Sequence, residues 1–186
     1  MMIVDRSQRK EIYLDPALDR EKIDIREDEN VDIYIEANKK LYLEVGLMET
    51  GASVRIIGRF LGHDGDTQEI TLRVTAFAPH TDCDIRFRAA LNGSSSSFFD
   101  GMIRVEEGAK ESRGYLSYHA LLLSPDAQAK PIPRLEVLTK EVASLSHAAS
   151  VGSIDANQLF YLQSRGLSRI QAERIIVEGF LRTIDK

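Results

Sequence analysis

The side chains best suited to ligate a metal or move a proton are four histidines and one cysteine. His80 and Cys83 stand three apart in Ala78-Pro79-His80-Thr81-Asp82-Cys83-Asp84. An imidazole and a thiolate at that spacing can begin a metal site, but two ligands do not close one. The flanking Asp82 and Asp84 also disfavour the thiolate, so a structural cysteine is the simpler reading. His63-Asp64-Gly65-Asp66 puts carboxylates on a glycine turn without the remaining oxygen ligands of a calcium loop, and reads as a plain hairpin turn. Tyr118 and His119 lie in an alternating stretch that points them to opposite faces, with no base–nucleophile partnership in view. His147, in Ser144-Leu145-Ser146-His147-Ala148-Ala149-Ser150-Val151-Gly152, is the candidate metal ligand. Its plain alternative is a hydrogen-bonded histidine orienting a junction between two kinds of structure. Phosphate-loop, dinucleotide, nucleophile-elbow and H-E-x-x-H motifs do not occur. Nothing in the sequence looks like a self-sufficient active site.

The elements that would position these residues are mostly strands. From about Lys22 to Val151 apolar and polar residues alternate, as in Val31-Asp32-Ile33-Tyr34-Ile35-Glu36, Leu41-Tyr42-Leu43-Glu44-Val45 and Ile70-Thr71-Leu72-Arg73-Val74. Turn signals such as Thr50-Gly51, Gly65 and Asn92-Gly93 separate the stretches. Many short strands at fairly even spacing predict a sandwich, a barrel or a β-helix, and periodicity alone does not choose. At Ser153 the pattern changes. Asp155 opens a capping arrangement with Gln158, predicting a helix to about Arg165 that stops at Gly166. Ser168-Arg169-Ile170-Gln171 repeats the capping box and starts a second helix. The expected organisation is a β domain over 1–152, with 1–20 as a lead-in strand or short helix, then a helical hairpin over 153–186.

Composition limits the function classes. The 186 residues are 43% hydrophobic and 28% charged, close to globular averages, and suffice for one domain with a small appendage. The net charge of −5 with no local basic cluster argues against nucleic acid as a partner. No run approaches the length of a membrane span, and the opening Met1-Met2-Ile3-Val4-Asp5-Arg6 meets charge too early for a secretory h-region. With a single cysteine, no disulfide framework forms within the chain, and a cytoplasmic home is expected.

From Ala78 to the end the sequence resembles the SufB/SufD family, the β-helical components of SUF iron–sulfur cluster assembly. Ala78-Pro79-His80-Thr81 with Phe99-Asp100-Gly101-Met102-Ile103-Arg104-Val105 is similar to the family's A-P-x-T and F-x-G-x-I-x-V. Leu121-Leu122-Leu123-Ser124 and Pro133-Arg134-Leu135-Glu136-Val137 resemble its L-L-L-S and P-x-L-E-I. Ser146-His147-Ala148-Ala149-Ser150-Val151-Gly152 looks like S-H-G-A-T-V-G, and Leu159-Phe160-Tyr161-Leu162-Gln163-Ser164-Arg165-Gly166-Leu167 like L-F-Y-L-x-S-R-G-I. The part before Asp66 matches only in kind.

The resemblance implies a right-handed parallel β-helix followed by a C-terminal two-helix hairpin. It also implies a non-enzymatic scaffold that dimerises through its β-helix and docks a SufC-type ABC ATPase through its C-terminal helices. Cluster assembly in the family is attributed to the subunit interface, so any iron–sulfur cluster would be transient there rather than stably bound. Tyr118 stands where SufB has a cysteine, and Ala148 where it has a glutamate, while His147 is kept. That pattern is SufD-like, because neither a phenol nor a methyl replaces a thiolate or carboxylate as an iron ligand. The partner-binding residues expected on the hairpin are Phe160, Tyr161, Leu167, Ile170 and Phe180. A homodimer or a SufB-type mate would complete the assembly. Two other readings are a self-assembling structural β-helix without a cluster role and a β-helix carbohydrate-active enzyme. The latter would draw on outward residues such as Glu36, Glu44, Arg55, Arg73 and Arg86.

Overall fold

The structure is a computed structural model, and it describes residues 9–36, 39–182 and 184. Eleven strands precede two helices: β1 Lys10–Tyr13, β2 Arg20–Ile25, β3 Asn30–Glu36, β4 Lys40–Leu47, β5 Ser53–Gly62 and β6 Thr67–Ala76. They continue as β7 Asp82–Leu91, β8 Ser96–Val105, β9 Arg113–Leu122, β10 Gln128–Val137 and β11 Ser144–Ser153, then α1 Ala156–Ser164 and α2 Arg169–Arg182. Odd strands form one sheet in the order β1-β3-β5-β7-β9-β11, and even strands form the other, β10-β8-β6-β4-β2. Every pairing is parallel and joins strands two apart in sequence. The chain therefore winds from one sheet to the other and back, a parallel β-helix as the family resemblance implied. Of the opening segment, residues 1–8 lie outside the described residues, while Lys10–Tyr13 add a strand.

In-register parallel pairing stacks like on like, about 4.8 Å apart. Ile33, Ile56, Ile85 and Leu116 form one column of fully buried side chains. A neighbouring column runs Val31, Val54, Cys83, Gly114. Ile35, Gly58, Phe87 and Tyr118 form a third, in which the bare Gly58 leaves room for the Phe87 ring. Phe87, Phe99 and Tyr118 pack as an aromatic cluster with ring centroids 4.9–6.3 Å apart. Alternation alone thus fills the interior, each buried aliphatic contributing about 1.5–3 kcal/mol.

The corners hold together by rung-to-rung bonds. Asp28, Gly51, His80 and Glu111 all take left-handed backbone conformations at one corner. Each donates its N–H to a carbonyl of the next rung: Thr50, Pro79, Lys110 and Glu141 respectively. The turn at His63–Asp66 connects β5 to β6, strands of opposite sheets, so it is a solenoid corner and not the hairpin its glycine suggested. A hairpin would pair its two strands directly, whereas here each pairs one rung away. Outside, the charged residues of the strand faces are engaged across rungs: Arg73 and Arg134 both bond Asp100, Arg59 bonds Glu36, and Arg9 and Arg55 share the buried Asp32.

The helical hairpin does not cover the end of the solenoid, where Val151 is 43% exposed. It lies along the flank of the odd-strand sheet. Asp155 caps α1 by accepting from the N–H groups of Asn157 and Gln158, and Gly166 ends it at φ +91°. At the start of α2 the Ser168 N–H donates to Gln171 Oε1, and the Gln171 N–H returns to Ser168 Oγ, a complete capping box.

Candidate functional site: the open rung and the flanking hairpin

Two surfaces stand out. The first is the last rung. His147 pairs in register with Leu116 and so continues the Ile33–Ile56–Ile85–Leu116 column, a core-facing position. It is nonetheless exposed, because no further rung among the described residues covers it. Leu145, Ala149 and Val151 extend the other columns of β11 in the same way, and Val151 is 43% exposed. Across the lumen, Ala129, Pro131, Pro133, Leu135 and Val137 of β10 occupy the positions facing Ser97, Phe99, Gly101, Ile103 and Val105. A core cross-section is left showing at this end of the solenoid.

The second surface is the hairpin. No residue of α1 is buried, while α2 buries Ala172 and Val177. Phe160 is 73%, Tyr161 56% and Ile170 79% exposed, an unusual display of large apolar groups. Leu167 is half-buried. Phe180 turns the other way: it is half-buried with the Arg88 guanidinium 5.0 Å from its ring centroid, so it faces the chain's own β7. Arg88 also donates to the Phe180 carbonyl, and Arg59 Nε to the Leu181 carbonyl at 3.3 Å. These are among the last carbonyls of α2, which have no intrahelical donor and carry the negative end of the helix dipole. Two arginines on adjacent rungs therefore fasten the hairpin. A groove of about 610 Å³ remains beneath it, with Arg88, Leu121, Leu162 and Ile176 among its lining. Arg59 and Arg88 sit at the outward positions of the alternating strands β5 and β7, and no local feature of the sequence marks them as lying under a helix end.

The other sequence candidates are not assembled into a site. Cys83 is 2% exposed in a valine column, and burial, with Asp82 and Asp84 adding, pushes its thiol well above the usual range. His80 is exposed at its corner. In the His63–Asp66 corner, Asp64 Oδ1 accepts the Ser94 N–H at 3.0 Å and Asp66 accepts the His63 N–H, so these carboxylates stitch turns together. Tyr118 is fully buried and donates to Ser97 Oγ at 2.8 Å; burial raises its hydroxyl to about 12. His119, on the outer face, lies 2.6 Å from Ser150 Oγ through Nδ1, and burial and then Arg88 lower its pKa. Among the described residues no group of three or more His, Cys, Asp or Glu side chains could hold a metal ion. His147 stands by itself at the open end of the solenoid.

This geometry defines a class: a parallel β-helix with an uncapped final rung and a helix pair fastened to its flank. Residues 27–180 match the SufBD core domain of SUF-system iron–sulfur cluster assembly, and the chain belongs to that family. It is 32% identical over 124 residues to the iron–sulfur cluster assembly protein SufD of Bacillus subtilis, covering 67% of this chain and 28% of that protein. Iron–sulfur cluster assembly SufBD family proteins of Mycobacterium bovis and Mycobacterium tuberculosis are each 30% identical over 141 residues, which is 72% of this chain and 36% of theirs. The chain thus spans about a third or less of the curated relatives it matches. No helix among the described residues is long and apolar enough to cross a membrane.

Proposed function

We propose that this protein is a SufD-like, non-enzymatic scaffold of iron–sulfur cluster assembly that docks a SufC-type ABC ATPase through its C-terminal helices. The observation that carries the reading is the hairpin itself, held to the solenoid by its C-terminal end while Phe160, Tyr161 and Ile170 face solvent. Apolar anchors on a short helix pair are the usual means of engaging a partner's groove. The replacement of two SufB-type ligands by Tyr118 and Ala148 supports the SufD-like subtype. His147 would then serve as a nitrogen ligand toward a transient cluster at the interface between subunits, the remaining ligands coming from the mate.

Co-expression with a SufC-type ATPase tests the docking. The two should co-purify, and Phe160→Asp combined with Ile170→Asp should weaken the association at least about 30-fold, as expected for two apolar anchors of about 1 kcal/mol or more each. Independent elution of the unmodified chain and the ATPase would overturn the proposal. End-to-end polymerisation in place of discrete complexes would favour the structural-protein reading.

A further inference from the structure

The groove of about 610 Å³ beneath the hairpin has the size of a small-molecule site, and its walls are mostly apolar. Leu121, Ile154, Leu162 and Ile176 line it yet are only half-buried, and Ile175 beside them is 48% exposed. Helices and sheet thus turn apolar surface toward a space that neither fills, and covering that surface is favourable.

One charge in the lining lacks its counterpart. On the outer face of the odd-strand sheet Arg55, Arg59 and Arg86 pair with Asp32, Glu36 and Asp84. Arg88, half-buried at the groove wall, pairs with no carboxylate among the described residues. It donates one hydrogen bond to the Phe180 carbonyl, and the Phe180 ring lies against it with its centroid 5.0 Å away. A guanidinium has five N–H donors, so the rest of the fork is left for an outside acceptor. Burial and then Arg86 push the pKa of Arg88 down, as expected of a cation short of negative charge. Asp155, the carboxylate of the lining, is committed to capping α1 through the N–H groups of Asn157 and Gln158.

An apolar trough with a lone guanidinium at its wall matches a carboxylate carried on a hydrocarbon chain. The fork takes a carboxylate in bidentate fashion, and partial burial strengthens the attraction. A neutral chain would leave Arg88 unpaired, and a bare small anion would leave the walls uncovered. We propose that this groove binds a free single-chain carboxylate, its head on Arg88 and its chain along Leu121, Ile154, Leu162 and Ile176. The ATPase-docking test substitutes Phe160 and Ile170, neither of which lines the groove, so the two proposals fail separately.

Calorimetric titration of the full chain with decanoate, below its micelle-forming concentration, tests this. Decanoate should bind saturably at one site, and decanol and acetate, each carrying half of the chemistry, at least about tenfold more weakly. Arg88→Gln should weaken decanoate binding at least about tenfold and leave decanol binding unchanged. Should it weaken both alike, the hairpin has shifted and Leu121→Glu decides. That change keeps the Arg88 bond to the Phe180 carbonyl and puts a carboxylate into the groove, so it should abolish decanoate binding, whereas the uncharged Leu121→Gln should retain it. Absence of saturable binding, equal affinity for decanoate and decanol, full decanoate affinity in Arg88→Gln, or decanoate binding that survives Leu121→Glu each overturns the proposal.

Discussion

A methyl group at Gly58 would sit 1.9 Å from Phe87 Cε2, inside the ring's own volume, so the aromatic cluster depends on one missing side chain. Gly58→Ala should cost about 1–3 kcal/mol in urea unfolding, the usual range for overpacking, and Phe87→Leu should recover part of it in a double-mutant cycle. Additive losses from the two changes would show that the ring and the glycine do not share the space. His119 gives a pH signature. Burial and Arg88 lower its folded pKa, so the unfolded chain takes up the proton more readily. Its contribution to stability is complete above the ordinary histidine value of about 6.5 and is lost as pH falls through that value toward the depressed one. Unfolding free energies measured across that range should decline for the native chain and flatten for His119→Gln; parallel curves would remove the effect.

At the scale of elements, the caps were written locally and the attachment was not. Asp155, Gly166 and the Ser168–Gln171 box bound the two helices by short-range hydrogen bonds, which is why their limits were legible in the sequence. The hairpin's place on the flank is set instead by Arg59 and Arg88, about a hundred residues earlier in the chain. Arg88→Ala removes a hydrogen bond to a helix-end carbonyl and a cation–π contact together. It should raise amide exchange in the last turn of α2 roughly tenfold, equivalent to about 1.4 kcal/mol, with exchange in β7 unchanged. Equal exchange in both proteins would mean that Phe180 and its neighbours hold the hairpin without the arginine.

At the scale of the whole molecule, a solenoid has a defined beginning and end to each column, and the last member of a column inherits a core address without a core. His147 is in that position above Leu116. In a complex reconstituted with a SufB-type partner and an ATPase, His147→Ala should lower iron–sulfur content at least severalfold while thermal unfolding of the chain itself stays unchanged, since an exposed imidazole contributes little packing. Undiminished cluster content with an intact complex would return His147 to a purely structural role.

Most of the strands were legible from a period of two that any half-buried strand must show, and the helix limits from capping side chains within four residues of the groups they satisfy, whereas the first half of β10, Gln128 to Ile132, carries no such alternation. Its motif resemblance selected the β-helix among the folds that this period allows. Tertiary structure alone decided that the carboxylate turn joins two sheets, that Cys83 is one more valine-like residue in a column, and that Phe180 faces inward while Phe160 and Ile170 do not. It also decided that His147 lies at an open end. Each of these depends on what lies above or beside a residue in space, a relation between positions from some thirty to about a hundred apart that local periodicity does not encode.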